Sequence, residues 1–255
     1  MRAIITYHSI DSSRSPISIS ERDFRRHLNW LATSRVSVVP LDALVSADHS
    51  GDSVALTFDD AYQNFGSIAA PLLEEHGMPA TLFVATAHAG GTNAWDTPAR
   101  GGGKGQVPVF PLLDWNGIAR VAQRGVAIGS HARTHRQLPL LDAHALRDEL
   151  ASSSEDLRRE LGVAPTALAY PYGDAASREK EEAARIYDLA VGTDLRILEK
   201  TEDQHMLPRI DAYYLREAGR LESFGSAAFD RYLRIRRRGR RLRASVHRLT
   251  GRGGG

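Results

Sequence analysis

Short apolar runs alternate with longer amphipathic segments along most of this chain. The runs typical of buried strands cover 4–7, 36–39, 54–58, 80–85, 126–129, 167–170, 189–192 and 207–210. Strands that alternate with helices predict a parallel sheet with right-handed crossovers. At six or more such units, a closed or nearly closed barrel is favoured over an open sheet. The chain is therefore expected to adopt an α/β fold.

Capping residues and glycines mark the predicted helices. Ser20, Asp114 and Asp142 each precede a segment with helical periodicity, and the third of these segments runs to Leu161. Two further helices are predicted over 62–76 and 176–187. Between 86 and 111 the periodicity disappears and glycine is frequent, which predicts a long loop in which only Trp95-Asp96 is suited to packing.

Composition limits the class of protein and the chemistry that it can use. With 255 residues, 42% of them hydrophobic, the chain can bury one large core. It contains no cysteine, so any metal must be held by His, Asp or Glu. No apolar run reaches membrane-spanning length, and residues 1–8 are too short for a signal-peptide core. The sequence-based expectation is a protein that is cytoplasmic or peripheral at a membrane.

Charge is distributed very unevenly along the chain. Residues 231–255 contain ten Arg and no acidic residue, whereas residues 1–230 carry 23 basic and 31 acidic groups, a net charge of −8. We therefore predict one domain over 1–225 and a basic tail over 226–255. Leu242, Val246 and Leu249 form a thin apolar stripe on the tail, which suits either peripheral attachment to an anionic membrane or a solvated extension. The acidic body argues against nucleic-acid binding.

Four polar clusters each follow a predicted strand. They are His8, Asp59-Asp60, His131 through His135, and Tyr170 through Gly173. The carboxyl ends of parallel strands lie on one face of a barrel, and that face is where barrels carry their active sites. The four clusters are therefore expected to converge on one site.

The Asp59-Asp60 pair suggests a bound cation. The like charges of the two carboxylates repel, and a cation is the simplest way to offset that repulsion. The alternative is a pair that caps a helix beginning near Tyr62. His131 and His135 have the H-x-x-x-H spacing, although His135 could equally be a surface residue. Together with a strand-end Asp they would form a two-His, one-carboxylate metal set with open positions for water and substrate.

These clusters resemble the motifs of a known family. Thr57-Phe58-Asp59-Asp60, His131 through His135 and Tyr170-Pro171-Tyr172-Gly173 resemble, in order and spacing, the first three motifs of the polysaccharide deacetylases, the NodB-homology carbohydrate esterases of family 4. The resemblance covers about residues 2–212. It implies a distorted (β/α) barrel with about seven parallel strands and a deacetylase domain over 1–225.

Further segments resemble one branch of that family. They are Tyr7-His8, Trp95-Asp96, Gly129-Ser130-His131 and Leu207-Pro208-Arg209. That branch deacetylates poly-N-acetylglucosamine and has a circularly permuted motif order. In it, the histidine expected near the C-terminus is supplied by the N-terminal strand, which here ends at His8.

The resemblance implies a role for each matching residue. Asp59 would be the general base and His8 the acid that protonates the leaving amine, while the backbone N–H of Tyr172 would meet the oxyanion. Asp60, His131 and His135 would hold a divalent metal, with zinc expected first and other first-row metals possible. Tyr170, Pro171 and Trp95 would contact substrate. The implied reaction removes acetyl groups from an N-acetylated sugar or polysaccharide, either poly-N-acetylglucosamine-like or a lipid-linked glycan, and releases acetate.

This chain also departs from the family pattern. Ala61 stands where glycine is usual, and Ala132 stands where Ser or Thr is usual. The third motif lacks its usual arginine, and Arg209 could replace it by holding Asp59, with Asp211 behind it. The alternative interpretation of Arg209 is a surface residue at a strand end.

Two other functions are compatible with the same residues. One is a related amidohydrolase that acts on a non-sugar amide, because the catalytic set recognises the amide and not its substituents. The other is an inactive carbohydrate-binding homologue. The presence of all three ligand types together with Asp59 and His8 favours an enzyme, since a binding protein does not need the full set.

Overall fold

A computed structural model, which describes residues 1–46, 51–96 and 107–250, contains ten strands and seven α-helices over those ranges. The strands are β1 (Arg2–Tyr7), β2 (Ser9–Ile10), β3 (Ser18–Ile19), β4 (Ser37–Val38), β5 (Ser53–Phe58), β6 (Ala80–Val84), β7 (Ala127–Ser130), β8 (Ala167–Ala169), β9 (Leu189–Val191) and β10 (Ile210–Asp211). The α-helices are α1 (Glu21–Thr33), α2 (Leu41–Ser46), α3 (Ala70–Glu75), α4 (Trp115–Gln123), α5 (Ala143–Leu161), α6 (Ser177–Ala183) and α7 (Ala227–Thr250).

One curled parallel sheet organises the domain. Its strand order is β10-β1-β5-β6-β7-β8-β9, with β4 paired to the start of β5. Every pairing in it is parallel. Because the strands are parallel, all their carboxyl ends lie on one side of the sheet, and the helices return the chain to the other side. The predicted α/β barrel with about seven parallel strands is confirmed.

The segment 207–211 joins the two edges of this sheet. Leu207 pairs with Val191 in β9, and Ile210 pairs with Ile5 in β1. This one short segment therefore pairs with β9 at its start and with β1 at its end. The sheet closes at this point, and Arg209 lies between the two pairings.

Local sequence signals set most helix boundaries. The side chains of Ser20, Asp114 and Asp142 each accept a hydrogen bond from a backbone N–H in the first turn of α1, α4 and α5, as the sequence predicts. The predicted helix 62–76 is confirmed as helical backbone over 63–75, in which residues 65–69 form a π turn before α3. The backbone of Tyr62, directly before this helix, is paired in a bridge with Leu112.

The ends of β1 and β5 rest on an aromatic cluster. The rings of Tyr7 and Phe58 stack at 5.1 Å between centroids, and Phe24 and Phe65 pack edge-on against Phe58 at 5.9 and 4.8 Å. All four side chains are buried, and burial of each contributes about 1.5–3 kcal/mol to stability. Tyr7 and Phe58 immediately precede His8 and Asp59, so this cluster fixes the direction in which both polar side chains leave the sheet.

The basic segment after residue 226 forms α7, whose first turns pack on the domain. Phe229 and Leu233 are buried in the same hydrophobic cluster as the sheet residues. Arg237 forms an ion pair with Asp194, and Arg240 donates a hydrogen bond to the carbonyl of Thr193. The division at 225/226 remains a prediction. Val246 and Leu249 of the predicted apolar stripe have side chains outside the described residues.

Two further expectations concern the loop and membrane spans. Part of the predicted loop, residues 97–106, lies outside the described ranges, but Trp95 is buried against Tyr62, Ala85 and Leu112. Within the described part of the chain, no helix combines the length and apolar character needed to cross a bilayer.

Candidate active site

The four predicted polar clusters converge where the parallel strands end. His8 follows β1, Asp59 and Asp60 follow β5, His131 follows β7, and Tyr172 lies in a 3₁₀ turn that follows β8. Nε2 of His8 and Nε2 of His131 both lie within 4.0 Å of Oδ2 of Asp59. Nε2 of His131 and Nε2 of His135 both lie within 3.5 Å of Oδ1 of Asp60. Residues far apart in the sequence thus form one buried polar site.

Asp60, His131 and His135 form a group that could hold a metal ion. The Nε2 atoms of His131 and His135 lie 3.5 and 3.4 Å from Oδ1 of Asp60. One ligand atom from each residue falls within 4.8 Å of the others, and all three residues are buried. Within the described residues, Oδ1 of Asp60 has no hydrogen-bond partner. A buried carboxylate oxygen is costly without a partner, so this donor set fits a divalent cation that accepts nitrogen and oxygen ligands.

The protonation of the two histidines suits metal ligation. Nδ1 of His131 lies 2.7 Å from the carbonyl oxygen of Ala169 and donates its proton there, so the nitrogen that the ring offers to a metal is Nε2, which lies beside Asp60. Burial lowers the pKa of His135 well below its ordinary value, and its imidazole is therefore neutral. Burial also raises the pKa of Asp60, an effect that a bound cation would oppose.

Arg209 holds Asp59 from inside the barrel. Its two terminal nitrogens donate to the two carboxylate oxygens of Asp59, both at 2.7 Å, and its Nε donates to the carbonyl of Gly192 at 2.9 Å. Arg209 is 1% exposed, which excludes the alternative interpretation of a surface residue. Burial by itself would raise the pKa of Asp59, but the charge and hydrogen bonds of Arg209, together with the nearby His131 and His8, hold that pKa well below its usual range. Asp59 is therefore a fixed, ionised carboxylate.

His8 lies beside the same carboxylate oxygen of Asp59 that His131 approaches. Its Nε2 is 3.7 Å from Oδ2 of Asp59, and its side chain remains partly accessible. Its Nδ1 has no hydrogen-bond partner within the described ranges. His8 is thus a partly open imidazole beside a fixed carboxylate, which is a suitable arrangement for proton transfer.

Two aromatic side chains enclose His135. The Trp95 ring stacks on the His135 ring at 4.6 Å, and the Tyr172 ring meets it edge-on at 4.9 Å. Tyr172 is 40% exposed, so it can also meet a molecule that enters the site. Pro171 is buried beside it.

Tyr170 does not face the site, contrary to the sequence-based expectation of a substrate contact. Its side chain is buried in the cluster that also holds Leu168 and Ala190, and its hydroxyl donates to the carbonyl of His205 at 3.0 Å. The physical reason is the period of two in a strand, since Leu168 and Tyr170 point to one face of β8 while Ala167 and Ala169 point to the other. We therefore remove Tyr170 from the expected substrate contacts.

Comparison with known sequences decides which family shares this arrangement. The sequence model of the polysaccharide deacetylases matches residues 46–191, which is more than half of the chain and includes Asp59, Asp60, His131, His135 and Tyr172. The chain belongs to the polysaccharide deacetylase family. Members of this family are N-deacetylase hydrolases, and we assign this deacetylase to that class of enzyme.

Individual relatives agree with this assignment. The deacetylase is 25% identical over 213 residues to YxkH of Bacillus subtilis (strain 168), a relationship that covers 81% of this chain and 70% of YxkH. It is 24% identical over 216 residues to the poly-beta-1,6-N-acetyl-D-glucosamine N-deacetylase of Staphylococcus epidermidis, with coverage of 76% and 67%. The structure of IcaB from Ammonifex degensii superposes with a TM-score of 0.71 at 21% identity, covering 83% of this chain and 93% of that one, which shows a common fold.

The turns of this deacetylase that carry the polar residues adopt a left-handed backbone. Asp60, Ala61, Ala132, His135 and Tyr172 have φ values of 71°, 58°, 59°, 54° and 61°. Each such residue costs about 1 kcal/mol or more unless it is glycine. This conformation explains why glycine is usual in the family at the position of Ala61. Ala61 adopts it at a cost in conformational free energy. Strain that the surrounding fold must hold in place is typical of functional sites.

Glu149 of α5 is a site residue that we did not predict from the sequence. Its Oε2 accepts hydrogen bonds from the backbone N–H groups of Arg133 at 3.0 Å and Thr134 at 2.8 Å, and its Oε1 accepts from the Thr134 hydroxyl. Ser153, one turn further along α5, donates to the carbonyl of Ala132 at 3.1 Å. Glu149 and Ser153 thus fix the turn between the two candidate ligand histidines. In this turn Ala132 cannot supply the hydroxyl that is usual at its position.

A signal for Glu149 exists in the sequence. The buried residues of α5 are Leu146, Glu149, Leu150, Ser153 and Leu157, which lie on one helical face. An acidic and a hydroxyl side chain within an otherwise apolar stripe indicate buried acceptors and donors with specific partners.

Proposed function

We propose that this deacetylase removes acetyl groups from N-acetylglucosamine units of a poly-β-1,6-N-acetylglucosamine-like polymer, with a divalent metal, zinc first, as cofactor. The observation that carries the proposal is the convergence of Asp60, His131 and His135 within 4.8 Å beside an ionised Asp59. The choice of polymer is supported by the named substrate of the Staphylococcus epidermidis relative and by a partly open site that an extended chain can approach.

The metal and the protein divide the chemistry between them. Asp60, His131 and His135 would hold a divalent ion, which when bound polarises an amide carbonyl and raises the acidity of water. That assistance matters because Arg209, by lowering the pKa of Asp59, also makes it a weak base. Asp59 accepts the proton of the attacking water at Oδ2, the oxygen that faces His8. Arg209 keeps that carboxylate in position throughout.

The remaining steps use groups at the rim of the site. Tyr172 lies in a left-handed turn, and its backbone N–H is the donor that would stabilise the amide oxygen as negative charge develops there. His8 donates its Nε2 proton to the amine as the carbon–nitrogen bond breaks. The exposed ring of Tyr172, with Trp95 behind His135, offers an apolar wall for the sugar ring and its acetyl methyl group.

Acetate release tests the proposal. The purified chain should release acetate from β-1,6-linked N-acetylglucosamine oligomers, lose that activity on treatment with a chelator, and regain it when zinc or another first-row divalent ion is added back. β-1,4-linked oligomers and a simple non-sugar N-acetyl amide serve as comparison substrates. Equal rates on the non-sugar amide would contradict the proposed substrate, and full activity after verified metal removal would contradict the proposed cofactor.

We expect Glu149→Ala to weaken metal binding without removing a ligand. The change leaves two backbone N–H groups without their acceptor, so the turn that carries His131 and His135 loses its orientation. Loss of groups that orient metal ligands lowers metal affinity by about 10–100-fold. The measurement is the dissociation constant for zinc by competition with a chromophoric chelator.

Two variants on the same helix make this test specific. Glu149→Gln keeps one carbonyl oxygen as acceptor and should recover part of the affinity. Glu155→Ala removes a carboxylate that forms an exposed ion pair with Arg158 and should bind zinc as the parent does. If Glu149→Ala lowered the melting temperature but not zinc affinity, Glu149 would contribute to stability alone.

A further inference from the structure

The two faces of α7 have different surroundings. Phe229 and Leu233 on the inner face are buried in the domain core, and Arg237 and Arg240 on the same side bond to Asp194 and to the carbonyl of Thr193. Residues 231, 234, 235, 238 and 242 repeat at the three- and four-residue spacing of a single helical face. Over residues 227–240 and at Leu242, where the side chains are described, α7 is therefore docked by one side and presents the other side to solvent.

The outer face combines cations with large apolar side chains. It comprises Arg231, Arg234, Ile235, Arg238 and Leu242, all of them exposed. Ile235 and Leu242 are 63% and 69% exposed, which is unusual for isoleucine and leucine on a helix that already has a buried side. Within this face Arg234 pairs with Asp230, and residues 231–255 contain no acidic residue that could neutralise the others.

We propose that the outer face of α7 binds an anionic lipid surface. Arginine stems can lie along the hydrocarbon boundary while their guanidinium groups meet phosphate, and Ile235 and Leu242 can enter the apolar layer between them. A nucleic acid or another soluble polyanion would satisfy the arginines but would offer nothing to Ile235 and Leu242. The net charge of −8 on residues 1–230 favours this geometry further, because repulsion turns the body away from an anionic surface and α7 toward it.

Vesicle sedimentation with the full chain tests this inference independently of any deacetylase activity. The protein should pellet with phosphatidylcholine vesicles that contain phosphatidylglycerol, remain in solution with pure phosphatidylcholine, and bind less as salt rises. The double variant Arg231→Glu/Arg238→Glu should reduce binding to the anionic vesicles by about tenfold or more. Its control is Arg22→Glu/Arg35→Glu, which changes the net charge equally at exposed positions outside α7.

The apolar contribution needs its own pair of variants. Ile235→Ser/Leu242→Ser should weaken vesicle binding and leave binding to heparin or duplex DNA unchanged, whereas Leu140→Ser/Val163→Ser, at exposed apolar positions elsewhere, should affect neither. Circular dichroism checks that each variant remains folded. Equal sedimentation of the α7 and control charge variants would overturn the inference. Vesicle binding that survives Ile235→Ser/Leu242→Ser unchanged would also overturn it, since the face would then bind any polyanion.

Discussion

Asp59→Asn should lower the rate of acetate release by about 10²–10⁴-fold while the protein still binds its metal. The carboxamide cannot accept the proton of the attacking water, but none of the three candidate metal ligands is altered. The measurement pairs kcat for acetate release with metal content by elemental analysis. Asp148→Asn, at an exposed position on α5, should leave both values unchanged.

Stability must be separated from catalysis in this test, because Asp59→Asn also leaves the buried Arg209 without its counter-charge. Breaking a buried ion pair from one side costs about 3–5 kcal/mol of unfolding free energy. The double variant Asp59→Asn/Arg209→Met removes the unpaired charge and should recover much of the lost melting temperature without recovering activity. If activity returned with stability, Asp59 would not be the base.

Removal of any one candidate ligand, by Asp60→Ala, His131→Ala or His135→Ala, should abolish stoichiometric metal binding and acetate release together. Each variant leaves only two protein ligands, and the loss of affinity should exceed the roughly 100-fold effect of disturbing the groups that orient a ligand. Zinc content after gel filtration and the dissociation constant for zinc are the measurements. The matched control is His144→Ala, at a histidine whose side chain is 83% exposed.

The outcomes for the three ligand variants can differ from one another in an informative way. Full zinc occupancy in Asp60→Ala would show that the carboxylate does not ligate the metal. Loss of activity in His135→Ala with zinc retained would instead indicate that His135 acts through its contacts with Trp95 and Tyr172.

Local signals made much of the fold predictable. Helix caps such as Ser20 and Asp142 act within one turn, so the sequence around them contains the whole interaction. The convergence of His8 with Asp59 also followed from the sequence, because parallel strands place their carboxyl ends together wherever they occur in the chain. Predictions of this kind do not require the order of the strands in the sheet.

Features that depend on packing between distant elements were not predictable in the same way. The position of Glu149 on the apolar face of α5 indicates burial, but its partners at 133 and 134 are defined only when α5 is docked against the turn after His131. Tyr170 was assigned to the site from its motif, although the alternation of β8 sends its side chain to the opposite face. The bridge between Tyr62 and Leu112, fifty positions later, is likewise a contact between distant segments that no local signal indicates.

Closure of the sheet by the segment 207–211 has a consequence for biosynthesis. Asp59 is separated from Arg209 by 150 positions, so a growing chain contains the proposed general base and all three candidate metal ligands well before the arginine that lowers the pKa of Asp59. Without the segment 207–211, β1 and β9 lack their neighbour at this point and Asp59 lacks its counter-charge. Hydrolysis should therefore require synthesis of the chain at least through residue 211, because only then are both Arg209 and the closing strand pairs present.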